Sequence, residues 1–160
     1  MTKKLEEHMH FLSCIRDLES SKNILEIIKK EEGKDAPLLE AAFKFALVEY
    51  SKPYKKSKAY KAKLSTFDTK YIPKHLFPLH ERIIKARDQI LAHSDVTVID
   101  PQIESIYGNL AKITYNVVTG LEELPNLDKI IELIEATIVN INTSKEEETS
   151  RNQIFTNNQQ

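Results

Sequence analysis

The sequence is short of the residues that cross-link or interrupt a chain. Its one cysteine among 160 residues, Cys14, cannot form an internal disulfide and rules out a cysteine-based metal cluster. Such usage fits a reducing cytoplasm. Three Gly and six Pro argue against collagen-like, linker-rich and turn-rich all-β chains. No apolar run approaches the ~18–20 residues needed to cross a bilayer. The start, Met1-Thr2-Lys3-Lys4-Leu5-Glu6-Glu7, leads into an amphipathic pattern containing acids, without the apolar stretch and small-residue site of a signal peptide. Arginine is scarce as well. Against 19 Lys stand only Arg16, Arg82, Arg87 and Arg151. In a chain that uses Lys for general solubility, each Arg is a candidate for a task needing a planar fork of donors.

What is present is charge, unevenly spread. Lys plus Arg number 23 against 24 Asp plus Glu, for a net −1. That balance excludes a uniformly basic nucleic-acid binder but conceals a local asymmetry. Tyr50 to Lys63 holds six Lys and no acid, hence +6; Glu122 to Glu148 holds eight acids and two Lys, hence −6. Any RNA contact would therefore be local and salt-sensitive.

The length suits one domain, expected over residues 1–148, with a polar, mobile tail at 149–160. Leu5, Met9, Leu12, Ile15, Leu18, Leu25 and Ile28 read as one helical stripe, with a weak point at Ser20-Ser21 and a stop at Gly33. A second helix is expected from an N-cap at Asp35, with Pro37 in its first turn, to the vicinity of Ser51, where Pro53 ends it. Ala41, Ala42 and Ala46 would let a neighbouring helix come close. Tyr50 to Lys63 reads as an exposed connection containing a short helix. The third helix spans about Lys74 to His93, with Leu79, Ile83, Ala86 and Ile90 on its apolar face and Pro78 in its first turn.

The period then changes. Ile103 to Tyr107 and Ile113 to Thr119 flank Gly108-Asn109 and are rich in Ile, Val, Thr and Tyr, the pattern of a small hairpin. A helix from Pro101 to Val118 competes with it. A last helix starts near Leu127 and frays after Lys145. The fold class is mostly all-α: a bundle of four to five helices with a small β-hairpin between the third and last main helices.

The sharpest constellation is Arg87-Asp88-Gln89-Ile90-Leu91-Ala92-His93. Six residues of helix leave Arg87 and His93 about 120° apart and ~9 Å along the axis. They do not stack on one face, but a long Arg can lean toward the imidazole, and a two-fold dimer can bring two copies together. A His near neutral pKa can take a proton from a ribose 2′-OH or give one to a leaving 5′-oxygen. An Arg can neutralise the charge developing on the phosphate. That scheme needs no metal or other cofactor. The plain alternative is structural: Arg87 pairs with Glu104 or Asp88, and His93 caps the helix.

The stretch LHERIIKARDQILAHSD, Leu79 to Asp95, resembles the signature helix of HEPN domains, in which an Arg is followed by four to six residues, the first often polar, and then a His. ALVEYSKPYKKS, Ala46 to Ser57, is similar to the end of the second helix in HEPN proteins of the abortive-infection type. The order of elements agrees from about Met1 to Ser144. The resemblance implies a helical bundle, often a homodimer with a shared cleft, and metal-independent endoribonuclease activity, commonly of a toxin or antiphage effector. Carried over, Arg87 and His93 are the catalytic pair and Asp88 the adjacent polar residue. Toxin members that work with a nucleotidyltransferase antitoxin often have Tyr two residues after the His; here that position is Asp95. The alternative from the same family is an inactive bundle that serves as a dimerisation, nucleotide-binding or partner-binding module.

The basic connection supplies a second set of candidates. Lys52, Lys55, Lys56, Lys58, Lys61 and Lys63 can contact phosphates, and Tyr54 and Tyr60 can stack on unpaired bases. Equally, the segment is a solvated loop whose Tyr rings pack back on the bundle. No metal site is expected, since His8 with His10 and His75 with His80 do not share helical faces. Cys14 reads as a small core or interface residue. The partners expected are therefore RNA, a second copy of the chain, and an antitoxin or other protein, with no membrane.

Overall fold

The computed structural model describes residues 2–31, 36–56, 67–91, 100–107, 110–116 and 120–157. Among these residues four α-helices form a bundle, and a two-stranded hairpin lies between the third and fourth. Helix α1 spans Lys3–Lys30, α2 Ala36–Ser51, α3 Phe77–Leu91 and α4 Leu127–Asn157; strands β1 and β2 span Asp100–Tyr107 and Leu110–Asn116. Gly33 and Asp35, the expected stop and cap, lie outside the described residues.

Thr2 caps α1, its Oγ1 accepting from the Leu5 N–H. The helix runs through Ser20-Ser21 without a break. Ser21 is fully buried and donates its hydroxyl to the Ala46 carbonyl at 2.8 Å, so the expected weak point is a tie between α1 and α2.

The expected single stripe on α1 is two faces. Leu18, Leu25 and Ile28 are buried, but Leu5, Met9 and Leu12 are 48, 56 and 49% exposed. Met9 lies nine residues before Leu18, which at ~100° per residue is the opposite side of the helix. Spacings of three and four, repeated over several turns, had drifted around the axis.

Helix α4 packs antiparallel to α1. Lys29 pairs with Asp128 at 2.6 Å and Lys22 with Glu135 at 3.3 Å, a seven-residue step on each helix. Further along, Lys145 Nζ lies 4.4 Å from the centre of the Phe11 ring. α4 continues to Asn157, so the residues from 149, expected to be a polar, mobile tail, are helical as far as Asn157. No Gly or Pro follows Pro125, so nothing in the backbone chemistry stops the helix, and polar side chains do not by themselves end one.

The core is built from matching faces. α2 gives Phe43, Ala46, Leu47 and Tyr50; α3 gives Leu79, Ile83, Ala86 and Ile90, the expected set; α4 gives Ile130, Leu133, Ile134 and Ile141. A 3₁₀ turn over Lys74–Leu76 leads into α3, leaving Pro78 in the first α-helical turn, where its missing N–H costs little.

The hairpin reading holds over the helical alternative. β1 and β2 are antiparallel, with Tyr107 opposite Leu110 at the closed end and Asp100 opposite Asn116 at the other. An irregularity at Glu104, between Ile103 and Ser105, marks a bulge. After the hairpin, Gly120 (φ +82°) enters a 3₁₀ turn over Leu121–Asn126 that leads into α4. Among the described residues no helix is long and apolar enough to cross a membrane.

Candidate functional site

The buried stripe of α3 fixes which way Arg87 and Asp88 face. With Ala86 and Ile90 turned into the core, Asp88 emerges half-exposed and Arg87 lies along the boundary. Arg87 donates from Nη1 to one Asp88 oxygen at 2.9 Å, and Lys55 donates from Nζ to the other at 2.7 Å. Of the two partners expected for Arg87, Asp88 is found; the side chain of Glu104 lies outside those described. The Arg87 Nε is buried and has no hydrogen-bond partner among the described residues. Partial burial raises the pKa of Asp88, but the hydrogen bonds and charges of Lys55 and Arg87 outweigh it and hold the carboxyl below its ordinary value. Asp88 is therefore ionised at neutral pH, with one cation on each oxygen.

Lys55 reaches this position because the chain before it is fixed. Pro53 ends α2 in a 3₁₀ turn over Lys52–Tyr54, and the Lys55 N–H donates to the Lys52 carbonyl. The Phe67 N–H donates to the Pro53 carbonyl at 2.8 Å. The two ends of the basic connection are thus joined at its root.

This root is not the exposed connection that composition suggested. Tyr50 and Pro53 are buried. The Tyr54 ring centre is 4.6 Å from that of His80 and 5.4 Å from that of Tyr50, and the Phe67 ring stands edge-on to it at 6.4 Å. Tyr54 therefore packs back on the bundle and is not presented to a stacking base. Burial, with the neighbouring Cys14 adding to it, raises its hydroxyl pKa despite the opposing effect of Tyr50. Lys52 pairs with the buried Glu49, and Lys56 is exposed. His93, Lys58, Lys61, Lys63 and Tyr60 lie outside the described residues.

Two constellations were missed from the sequence. The first is His80, buried on α3, with Nδ1 2.8 Å from the Tyr50 hydroxyl. Burial lowers its pKa to about 4, so the ring is neutral. Tyr50 keeps its proton, because desolvation and the adjacent Tyr54 raise its pKa. A phenol is the stronger donor of the two, so Tyr50 donates to Nδ1. The second is the fork of Arg82, which holds both oxygens of the buried Glu123 at 2.6 and 3.2 Å, with Asn126 donating to the same carboxylate at 2.9 Å. The scarcity of Arg was the available signal, but the partner is 41 residues away.

Cys14 is 2% exposed, and burial, then Asp17, pushes its thiol up to about 11. It is a core residue, as expected, and no thiolate nucleophile. Among the described residues no group of three or more His, Cys, Asp or Glu side chains is arranged to hold a metal ion. His75 faces Glu132 at 3.6 Å on the surface, and Nδ1 of His80 is occupied by Tyr50. A shallow groove of about 300 Å³ runs along α1 between Arg16 and Ile27, away from Lys55, Arg87 and Asp88 in the chain.

Comparison with protein-family models, with curated proteins and with solved structures finds no match.

Proposed function

We propose that the chain is a metal-independent endoribonuclease of HEPN type, acting in the cytoplasm as a homodimeric toxin or antiphage effector. His93 is the acid or base, taking the proton of a ribose 2′-OH as the 2′-oxygen attacks the adjacent phosphorus, or protonating the 5′-oxygen that leaves. Arg87 binds the phosphate and offsets the charge that develops on it. Asp88 holds the guanidinium, and the Lys residues of the basic connection draw RNA toward it.

The observation that carries this reading is the placement of Lys55 beside Arg87 on the two oxygens of Asp88. Two cations from separate elements meet where the signature helix offers its Arg. Purified protein incubated with total RNA in excess EDTA cuts it, whereas Arg87→Ala and His93→Ala do not. Equal cleavage by all three proteins would falsify the assignment.

A second reading is an inactive bundle of the same type that binds another copy of itself. The exposed row of Leu5, Met9 and Leu12 on α1 favours it. It predicts that overexpression slows growth no more for the wild type than for His93→Ala.

A further inference from the structure

Resting on the ribonuclease reading, we propose that Lys55 and Arg87 form a phosphate subsite that Asp88 fills in the resting chain, the carboxylate standing in for an RNA phosphodiester until one displaces it.

The geometry of the three groups suggests it. A carboxylate and a phosphodiester each present two anionic oxygens on one centre. In this chain those two oxygens belong to Asp88, one taking Lys55 Nζ at 2.7 Å and the other Arg87 Nη1 at 2.9 Å. The donors come from different places, Lys55 from the turn after α2 and Arg87 from α3, so the site exists only in the folded chain. The Lys55 backbone is anchored through the 3₁₀ turn, by the Phe67-to-Pro53 hydrogen bond and by the Tyr54 ring against His80.

Asp88 does not satisfy the site. The Asp88 carboxylate takes one N–H group of the guanidinium, at Nη1, although a guanidinium commonly binds a phosphate through two parallel N–H groups. A phosphodiester in the place of Asp88, set between Lys55 and Arg87, can take the parallel N–H groups of Nη1 and Nη2 together. The exchange is open to solvent, since the Asp88 side chain is 49% exposed. Ion pairs at that exposure hold their partners weakly. Asp88 would thereby keep Lys55 and Arg87 arranged and weaken binding to any polyanion that cannot reach both.

The test measures binding apart from cleavage. A single-stranded oligonucleotide with 2′-O-methyl sugars has no free 2′-OH to attack, and its affinity is read by fluorescence anisotropy over a salt series. Asp88→Asn is expected to tighten binding about threefold or more and to steepen the salt dependence. Adding Lys55→Gln to Asp88→Asn is expected to abolish the gain. Circular dichroism of each variant checks that it is folded. If Asp88→Asn binds equally or more weakly while the wild type still binds and cuts RNA, the subsite is overturned and the ribonuclease reading stands. If the wild type neither binds nor cuts, both are overturned.

Discussion

The Tyr50 hydroxyl and His80 Nδ1 sit 2.8 Å apart inside the bundle, joining α2 to α3 one turn before the Lys55 root. Both groups are buried, and each supplies what the other lacks. The phenol keeps its proton and the imidazole stays neutral, so neither leaves an unsatisfied charge in the core. Tyr54 packs on both rings, which makes the pair part of what holds Lys55 beside Asp88.

This pair sets a pH dependence of stability. His80 titrates near 6.5 when unfolded and near 4 when folded. Between those values the unfolded chain binds a proton that the folded chain refuses. Stability from this source is complete above about pH 6.5 and is lost as pH falls toward 4. The melting temperature of the wild type should therefore drop more on going from about pH 7.5 to 5 than that of His80→Gln, which keeps a polar partner for Tyr50. Parallel curves for the two proteins would contradict a buried neutral His80.

Arg82 and Glu123 give a second expectation. Glu123 is 7% exposed and takes two hydrogen bonds from Arg82. Arg82→Ala leaves that carboxylate with Asn126 alone, and urea unfolding should show a loss of about 1–2 kcal/mol. Arg82→Lys should recover only part of it, because an ammonium cannot match the fork. Equal stability of Arg82→Ala and wild type would show the clamp to be energetically empty.

These pairings show where a sequence is readable. The α3 stripe of Leu79, Ile83, Ala86 and Ile90 was legible because a short helix with one buried face keeps its period. The α1 stripe was not, since Leu5, Met9 and Leu12 obey the same local spacing as Leu18, Leu25 and Ile28 while facing the other way. The Arg87–Asp88 contact was legible as a neighbour on one helix. Lys55 with Asp88, Tyr50 with His80 and Arg82 with Glu123 are 33, 30 and 41 residues apart, and only the tertiary fold selects such partners. His80 was weighed only as a metal ligand, yet it follows Leu79 and precedes Ile83 by three, on the margin of the buried face. The hairpin was legible from β-branched composition. The helical continuation of α4 past residue 149 was not legible, because a polar stretch carries little apolar period.

The extent of α4 is open to a direct check. Residues 147–157 continue the helix, beyond the point where Lys145 meets Phe11. A chain shortened after Glu146 should lose helical ellipticity in proportion to that segment. A tail without structure would leave the ellipticity per molecule unchanged on truncation.

Gly120 allows the packing after the hairpin to be dissected. Its φ of +82° is a left-handed conformation that costs an L side chain about 1 kcal/mol or more. A Cβ there would also sit 2.7 Å from Ile90 Cδ1 and 3.3 Å from Leu47 Cδ1. Both neighbours are buried core residues of α3 and α2, so they can yield only by shifting packed side chains. Gly120→Ala should destabilise the fold by about 2–3 kcal/mol, the backbone and packing contributions together. Ile90→Val removes Cδ1 and should cost about 1 kcal/mol on its own. In the double variant the closest clash is gone, so the two losses should sum to less than their separate values, leaving the backbone cost behind. Chemical denaturation of the four proteins measures that coupling. Strict additivity would mean that Gly120 is required for its φ alone and that Ile90 does not press on it.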